Sequence, residues 1–475
     1  MNLCGTKMGR YQAIGRHNIG KLPEWAALDP DLREAIQVVA QVLPFRANRY
    51  VVENLINWSK VPDDPIFRLI FPQREMLDAD EFGEVKQCLR ENDSEALART
   101  VRRIRLALNP HPDGQLTHNV PIVAGRPLWG LQHKYRETVL FFPFQGQTCH
   151  SYCTYCFRWA QFVDMDGLKF ARKDATDLVA YLKVHPEVTD VLVTGGDPMV
   201  MRAPVLRKYI EPLLDPALEH VQTIRIGTKA VASWPYRFVS DDDADDCLRL
   251  FEQIVAAGRH LAVMGHYSHP AELAPEIARE AIRRIRATGA QIRMQTPLIR
   301  HVNDNPEAWA ALWRTGVRLG LVPYYMFVER DTGARKYFEV PLVRALDVHR
   351  QAQARVSGLG RTAQGPSMSA FPGKVRILGS VTLRSLLDDC AAAALAALPA
   401  RAGAADPDTP MLICDFLQAR DPAFDRTLFV AACDPDATWL DHLRPVGRQD
   451  RFPFDCWTDN GRSHRLQSET ECLLH

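Results

Sequence analysis

Six short runs rich in apolar and β-branched residues follow one another after Thr138, and they constrain the fold more than any other feature of the chain. They are Thr138-Val-Leu-Phe-Phe-Pro-Phe, Val188-Thr-Asp-Val-Leu-Val-Thr, Val221-Gln-Thr-Ile-Arg-Ile-Gly, Arg259-His-Leu-Ala-Val-Met, Gln291-Ile-Arg-Met-Gln-Thr and Val322-Pro-Tyr-Tyr-Met-Phe. Between them lie amphipathic stretches of helical spacing: Asp174 to Val184, Asp243 to Ala257, Ala274 to Ala287 and Ala308 to Leu319. Strand then helix, repeated, predicts parallel β/α units. Six repeats suit either a doubly wound sheet or an incomplete (β/α)6 barrel, and periodicity does not choose between them. In both, ligand chemistry is expected at the C-terminal ends of the strands.

The flanks read differently. Asp31 to Leu43 and Ser94 to Leu106 repeat apolar positions at three and four, so residues 1–110 are expected to form a helical N-terminal region. The β/α core is expected over 111–380. An Ala/Pro-rich stretch beginning at Ala391 marks a linker, and 381–475 is read as that linker with a C-terminal accessory segment.

With 58 Lys+Arg against 57 Asp+Glu, the 475-residue chain has a formal net charge of +1. That balance gives no electrostatic reason to expect nucleic acid or an anionic membrane as the main partner, and points to a small-molecule site. No apolar run approaches the ~20 residues that span a bilayer, and the first residues lack a signal-peptide core. The expectation is a soluble cytoplasmic protein.

Eleven cysteines are too few for a disulfide scaffold. Eight are scattered, whereas Cys149, Cys153 and Cys156 form a C-x3-C-x2-C group directly after the first strand. A closed structural zinc site wants four ligands and no second C-x2-C half lies at a suitable distance. A redox pair of Cys153 and Cys156 leaves Cys149 without a role. A [4Fe-4S] cluster held by three cysteines keeps one iron open to a ligand, and three unrelated buried thiols are the bland alternative. Downstream, Thr194-Gly195-Gly196-Asp197-Pro198 ends a strand, where glycines permit close approach of the backbone to a ligand; an ordinary turn would look the same. His266 and His269 end the fourth strand and line the same mouth.

This combination resembles the radical S-adenosylmethionine (SAM) superfamily. The runs His133 to Leu140, Cys156-Phe-Arg158, Val193 to Pro198, Ile224 to Thr228, Gly265 to Glu272, Gln295 to Asp304 and Pro323-Tyr324-Tyr325 resemble the lysine 2,3-aminomutase family over roughly residues 110–378. The resemblance implies an incomplete (β/α)6 barrel. It also implies a [4Fe-4S] cluster on Cys149, Cys153 and Cys156, with SAM bound by Gly195, Gly196, Asp197, His266 and His269. Reductive cleavage would yield a 5′-deoxyadenosyl radical that takes hydrogen from an amino-acid-like substrate for 2,3-amino migration. Arg158 matches the arginine that pairs with the substrate carboxylate. The partners implied are a small carboxylate substrate and a reducing electron donor such as flavodoxin or ferredoxin, with a homo-oligomer left open.

Two departures from the family pattern bear on substrate and cofactor. Arg330 occupies a position where lysine-acting members carry an aspartate for the distal ammonium; Glu329 and Asp331 flank it. A cation there repels a lysine side chain and suits a second carboxylate. The family also holds pyridoxal phosphate (PLP) on a lysine of a Gly-rich segment, with Lys134 and Tyr135 matching its phosphate side. Here Arg361 stands where that lysine is sought, Lys374 lies downstream, and Thr138 replaces a phosphate-side arginine. Two alternatives follow: a PLP-independent radical reaction such as elimination, epimerisation or another rearrangement, or a catalytically silent iron-sulfur protein. The acidic run Ser240 to Asp246 is expected at a helix N-terminus. Arg279, Arg283, Arg284 and Arg286 are expected on a solvated face.

Overall fold

The computed structural model describes residues 11–111, 117–163, 170–386, 408–446, 451–452 and 454–455. Residues 391–407 of the Ala/Pro-rich run lie outside the described residues, as do Cys4, Cys390, Cys456 and Cys472.

One eleven-stranded sheet organises the molecule: β1 Leu131–Tyr135, β2 Thr138–Phe141, β3 Asp190–Val193, β4 Thr223–Thr228, β5 His260–His266, β6 Gln291–Leu298, β7 Val322–Val328, β8 Gln364–Ser369, β9 Gly373–Val381, β10 Met411–Ala419 and β11 Leu428–Ala432. Spatial order equals chain order. β1 pairs antiparallel with β2, β2 to β8 run parallel, and β8 to β11 are antiparallel.

The unbroken order decides between the two expected topologies. A doubly wound sheet reverses its strand order at a switch point, and this one never does. Right-handed crossovers between successive neighbours therefore place the intervening helices on one face, as in a barrel whose end strands have not met. All C-terminal ends of β2 to β7 then open on one mouth.

The helices form where apolar residues recur at three and four. In Glu276–Ala287, Ala278, Ala281, Ile282 and Ile285 are buried, and the helix ends before Gly289, whose φ of +89° is costly for any residue with a Cβ. Pro306–Arg318 starts on Asn305, whose side chain accepts from Ala308 N at 2.8 Å, with Pro306 at the first turn. Ile224 and Ile226 of β4 face these helices in the main core, joined by Val191, Val263 and Ile292. Arg225 alternates to the other face and pairs with Asp190 at 2.8 Å. Arg284 is not simply solvated as expected: its guanidinium donates to Phe238 O and Val239 O at 2.8 and 2.9 Å, tying two helical layers together.

Pro30–Val42, Ala79–Glu91 and Ser94–Leu108 build a second core with Trp25, Phe67 and Phe71, and that core also takes in Tyr155 and Trp159 from the cysteine segment. A third core lies under β8 to β11, where Phe416 is ringed by Phe424, Phe429 and Phe454 at 5.2 to 6.3 Å. Arg376 and Asp415, register partners of β9 and β10, pair at 2.7 Å. No helix among the described residues is long and apolar enough to cross a membrane.

Phe416→Ala is expected to cost about 3–5 kcal/mol, the transfer and cavity cost of a buried phenyl group. Urea unfolding should show it, with earlier proteolytic clipping within β9 to β11 than elsewhere.

Candidate active site

After β2 the chain runs from Pro143 to Val163 with no strand, only two short 3-10 turns. Much of this segment is buried, including His150, Ser151, Tyr152, Thr154 and Tyr155, so its backbone needs partners from elsewhere. The N-terminal region supplies them. Tyr152 N donates to Arg46 O and Thr154 N to Leu69 O, at 2.8 and 2.9 Å. His150 O accepts from Tyr11 Oη and Asn48 Nδ2 at 2.9 and 3.1 Å, and Cys149 O accepts from Arg46 Nη1 at 3.1 Å. Asn48 Nδ2 also reaches Ser233 O at 2.9 Å, linking the loop to the end of β4.

The three cysteines share this loop and sense one another. Burial, then Asp197, then the other two thiols hold Cys149 well above the ordinary thiol range, and burial with Cys153 pushes Cys156 up to about 12. Three buried sulfur donors in one loop are a soft ligand set of the kind that holds an iron-sulfur centre or zinc. No three His, Cys, Asp or Glu side chains among the described residues are arranged to hold a single metal ion. A closed zinc site wants four ligands, and the loop offers three thiols, the donor number of a [4Fe-4S] cluster that keeps one iron open, so the donor set fits the cluster.

Gly195 and Gly196 lie against the same loop. A Cβ on Gly196 would meet Thr148 N and O at 2.5 and 2.6 Å, and one on Gly195 the Gln147 side chain. Loop packing by itself thus leaves no room for a side chain at Gly196. Asp197 is buried and accepts from Thr228 Oγ1, Met199 N and Lys229 N at 2.7, 2.9 and 2.9 Å. Burial outweighs those bonds and lifts its carboxyl to about 6. The carboxylate therefore pegs the end of β3 to the end of β4.

Behind it sits a buried polar network. Lys229 Nζ donates to Glu272 Oε1 at 2.6 Å, Ser268 Oγ at 3.2 Å and His266 O at 3.4 Å. Glu272 also accepts from the main-chain N–H groups of Ser268 and His269. Tyr155 Oη lies 3.2 Å from Ser268 Oγ and 3.4 Å from His266 Nδ1. Burial, with the Lys229 ammonium adding to it, pushes His266 down to about 3, so its ring is neutral. His269 accepts from Ala271 N at 3.3 Å and caps the turn Pro270–Leu273.

Arg158 is buried, its guanidinium 4.5 Å from the Phe142 ring and 5.0 Å from the Phe157 ring. The Arg330 guanidinium lies 5.1 Å from the same Phe157 ring and donates to Ser369 O at 2.8 Å. Burial brings Arg158 down to about 10, with Arg330 adding to the effect, and no carboxylate among the described residues pairs with it. Burial holds the Glu329 carboxyl well above its ordinary range, and Asp331 turns to His111 at 3.2 Å. Glu329 is thus held toward its neutral form, and Asp331 is already engaged by His111.

The two PLP positions separate clearly. Arg361 is on an exposed turn before β8 and donates to Val356 O, at the opposite end from the mouth. Lys374 begins β9, 4.2 Å from the Tyr325 ring and 5.8 Å from that of Tyr135. Burial and then Arg225 lower it to about 7. Lys134, in β1, donates to Ala370 O and feels Arg420, Arg330 and Lys374. A buried amine held below its ordinary range, with two tyrosine rings beside it, suits Schiff-base formation with an aldehyde, so these residues fit PLP. Sequence reasoning missed Arg46, Asn48, Lys229 and Glu272. Only Glu272 lay inside a quoted motif, and the other three act across more than 30 residues of chain, which local pattern does not reveal.

No family model matches the chain. A curated protein named "Putative L-lysine 2,3-aminomutase", from Aquifex aeolicus, is 32% identical over 348 residues, covering 73% of this chain and 80% of that protein. The L-lysine 2,3-aminomutase of Bacillus subtilis is 25% identical over 49% of this chain and 46% of its own length. The glutamate 2,3-aminomutase of Clostridioides difficile is 23% identical over 44% of this chain and 47% of its own. Streptococcus suis SuiB, a solved structure, aligns at a TM-score of 0.35 and 13% identity over 60% of this chain and 59% of that one, too distant to carry an argument.

A lysine reacts through its neutral amine, so a depressed pKa moves its reactivity to lower pH. Labelling of Lys374 by a small acylating reagent, followed by peptide mass spectrometry, is expected to rise as pH climbs through about 7 and then level off. An ordinary surface lysine keeps rising toward about 10.4.

Proposed function

This chain belongs to the lysine 2,3-aminomutase family of radical SAM enzymes, and from that premise we propose that it moves an amino group between carbons 2 and 3 of an amino acid bearing a second carboxylate. The observation that carries the substrate reading is the pair Arg158 and Arg330 on one ring, Phe157, at 5.0 and 5.1 Å. Two guanidinium groups held against one aromatic ring suit two carboxylates and repel an ammonium. Glutamate 2,3-aminomutase among the relatives supports the same direction.

In this reading Cys149, Cys153 and Cys156 hold a [4Fe-4S] cluster, and SAM lies against Gly195, Gly196, Asp197, His266 and His269. When bound and reduced, the cluster and SAM supply a 5′-deoxyadenosyl radical able to take hydrogen from an unactivated carbon. Lys374 holds PLP, with Tyr135 and Lys134 beside it, and PLP supplies the carbonyl through which nitrogen migrates. The chain's own work is placement. Arg158 fixes one substrate carboxylate beside the cysteine loop, and Arg330 fixes the second. Tyr155, Trp159 and Phe142, all buried, exclude water from the radical's path. Neutral His266 adds no charge near the sulfonium. Electrons arrive from a donor of flavodoxin or ferredoxin class.

After anaerobic reconstitution, SAM and a strong reductant should yield 5′-deoxyadenosine, and Cys153→Ala should abolish it. Absence of that product from a fully loaded wild-type protein would leave a silent iron-sulfur protein. A PLP absorbance that borohydride fixes onto Lys374 separates this reading from a PLP-independent one. Arg330→Ala is expected to lower kcat/KM for a dicarboxylic amino acid about ten- to a hundredfold, the value of one hydrogen bond to a charged group at roughly 1.5–3 kcal/mol. Turnover of lysine in preference to acidic amino acids would overturn the substrate assignment.

A further inference from the structure

Three cations from separate parts of the chain surround the cysteine loop. Arg46, from the N-terminal region, reaches Cys149 O at 3.1 Å and also donates to Thr148 Oγ1, with its guanidinium 4.8 Å from the Tyr152 ring. Arg158 follows Cys156 by two residues and packs on Phe142 and Phe157. Lys229, just past β4, donates to Ser268 Oγ at 3.2 Å, which in turn lies 3.2 Å from Tyr155 Oη of the cysteine segment. We propose that Arg46 and Lys229 are positioning residues for electron entry: together with Arg158 they set the reduction potential of the bound cluster. This rests on the cluster reading above.

The step concerned is a single electron transfer. One electron passes from a low-potential reductant, reduced flavodoxin or ferredoxin in kind, into the oxidised cluster. No bond breaks and no proton moves, so the loop must hold one more negative charge than before. In a desolvated site such a charge is costly unless fixed positive charge stands near it. Outer cations and hydrogen bonds are the protein's means of adjusting that cost.

Lys229 Nζ has three acceptors, Glu272 Oε1, Ser268 Oγ and His266 O, and Glu272 also accepts from the main-chain N–H groups of Ser268 and His269. Ser268 Oγ lies 3.2 Å from Tyr155 Oη, so one hydroxyl joins the ammonium to the cysteine segment.

The test is redox potentiometry of the full-length reconstituted protein, followed by electron paramagnetic resonance, with iron and sulfide content measured on every sample. Arg46→Gln and Lys229→Gln are each expected to move the midpoint to more negative potential. At a fixed potential near the midpoint the reduced-to-oxidised ratio should fall about tenfold, equal to about 59 mV for a one-electron couple. Arg46→Lys and Lys229→Arg, which keep the charge, should stay at the wild-type midpoint. Unchanged midpoints in both Gln variants at full cluster content would overturn the proposal, as would equal shifts in the charge-conserving variants. Should Lys229→Gln fail to fold because Glu272 is left buried and alone, the half-buried Arg46 decides by itself. A wild-type protein that takes up no cluster would instead defeat the cluster reading.

Discussion

A buried loop without regular structure must find partners for its peptide groups, and here it finds them in a different part of the chain. The segment carrying Cys149, Cys153 and Cys156 could not stay desolvated on its own hydrogen bonds. Arg46, Asn48 and Leu69 complete it through main-chain and side-chain bonds of 2.8 to 3.1 Å. The N-terminal helices therefore do more than precede the core. They share a hydrophobic cluster with Tyr155 and Trp159, so the packing of that region and the shape of the cysteine loop are one problem.

The strictly sequential sheet solves a second problem, that of bringing distant residues to one place. Because β2 to β7 never reverse order, their C-terminal ends open together. Asp197 from the end of β3, Lys229 from that of β4 and Ser268 just beyond β5 are then joined in one connected set of bonds. Arg330, just past β7, comes to the same aromatic ring as Arg158 although 172 positions separate their numbers. The network is costly to bury and is fully partnered, which makes it stiff.

The strand–helix alternation made the core legible in the sequence. All six runs are strands, and Asp174 to Val184, Asp243 to Ala257, Ala274 to Ala287 and Ala308 to Leu319 each enclose or overlap a crossover helix within two residues. What periodicity left open, doubly wound or singly wound, depended on strand order, which is a property of pairing rather than of any one segment. At the site, the cysteines and Arg158 stood out because their spacing is local. Arg46 and Lys229 did not, since an isolated basic residue in a helix-rich or strand-end context looks like any other until its partners are known. The closeness of Gly195 and Gly196 to Gln147 and Thr148 was not legible either; two backbones that approach within a Cβ radius give no sign of it in one-dimensional order. The tail was the least legible part, because β9 to β11 gain their stability from each other and from the Phe416 cluster rather than from a pattern within any one of them.

The sheet also grows at its two ends in different ways. One edge is closed by a single hairpin strand, β1, while the other is lengthened by β9, β10 and β11. That longer edge adjoins the β8–β9 turn, where Ser369, Ala370 and Lys374 meet Arg330 and Lys134. The beginning of the chain thus completes the cysteine loop, while the strands added near its end border the turn that packs on Arg330 and Lys134. The two surroundings are built from opposite ends of the sequence, so a change in one leaves the partners of the other in place. A sheet left open at one side can be lengthened there, which a closed barrel, with no free edge, does not allow.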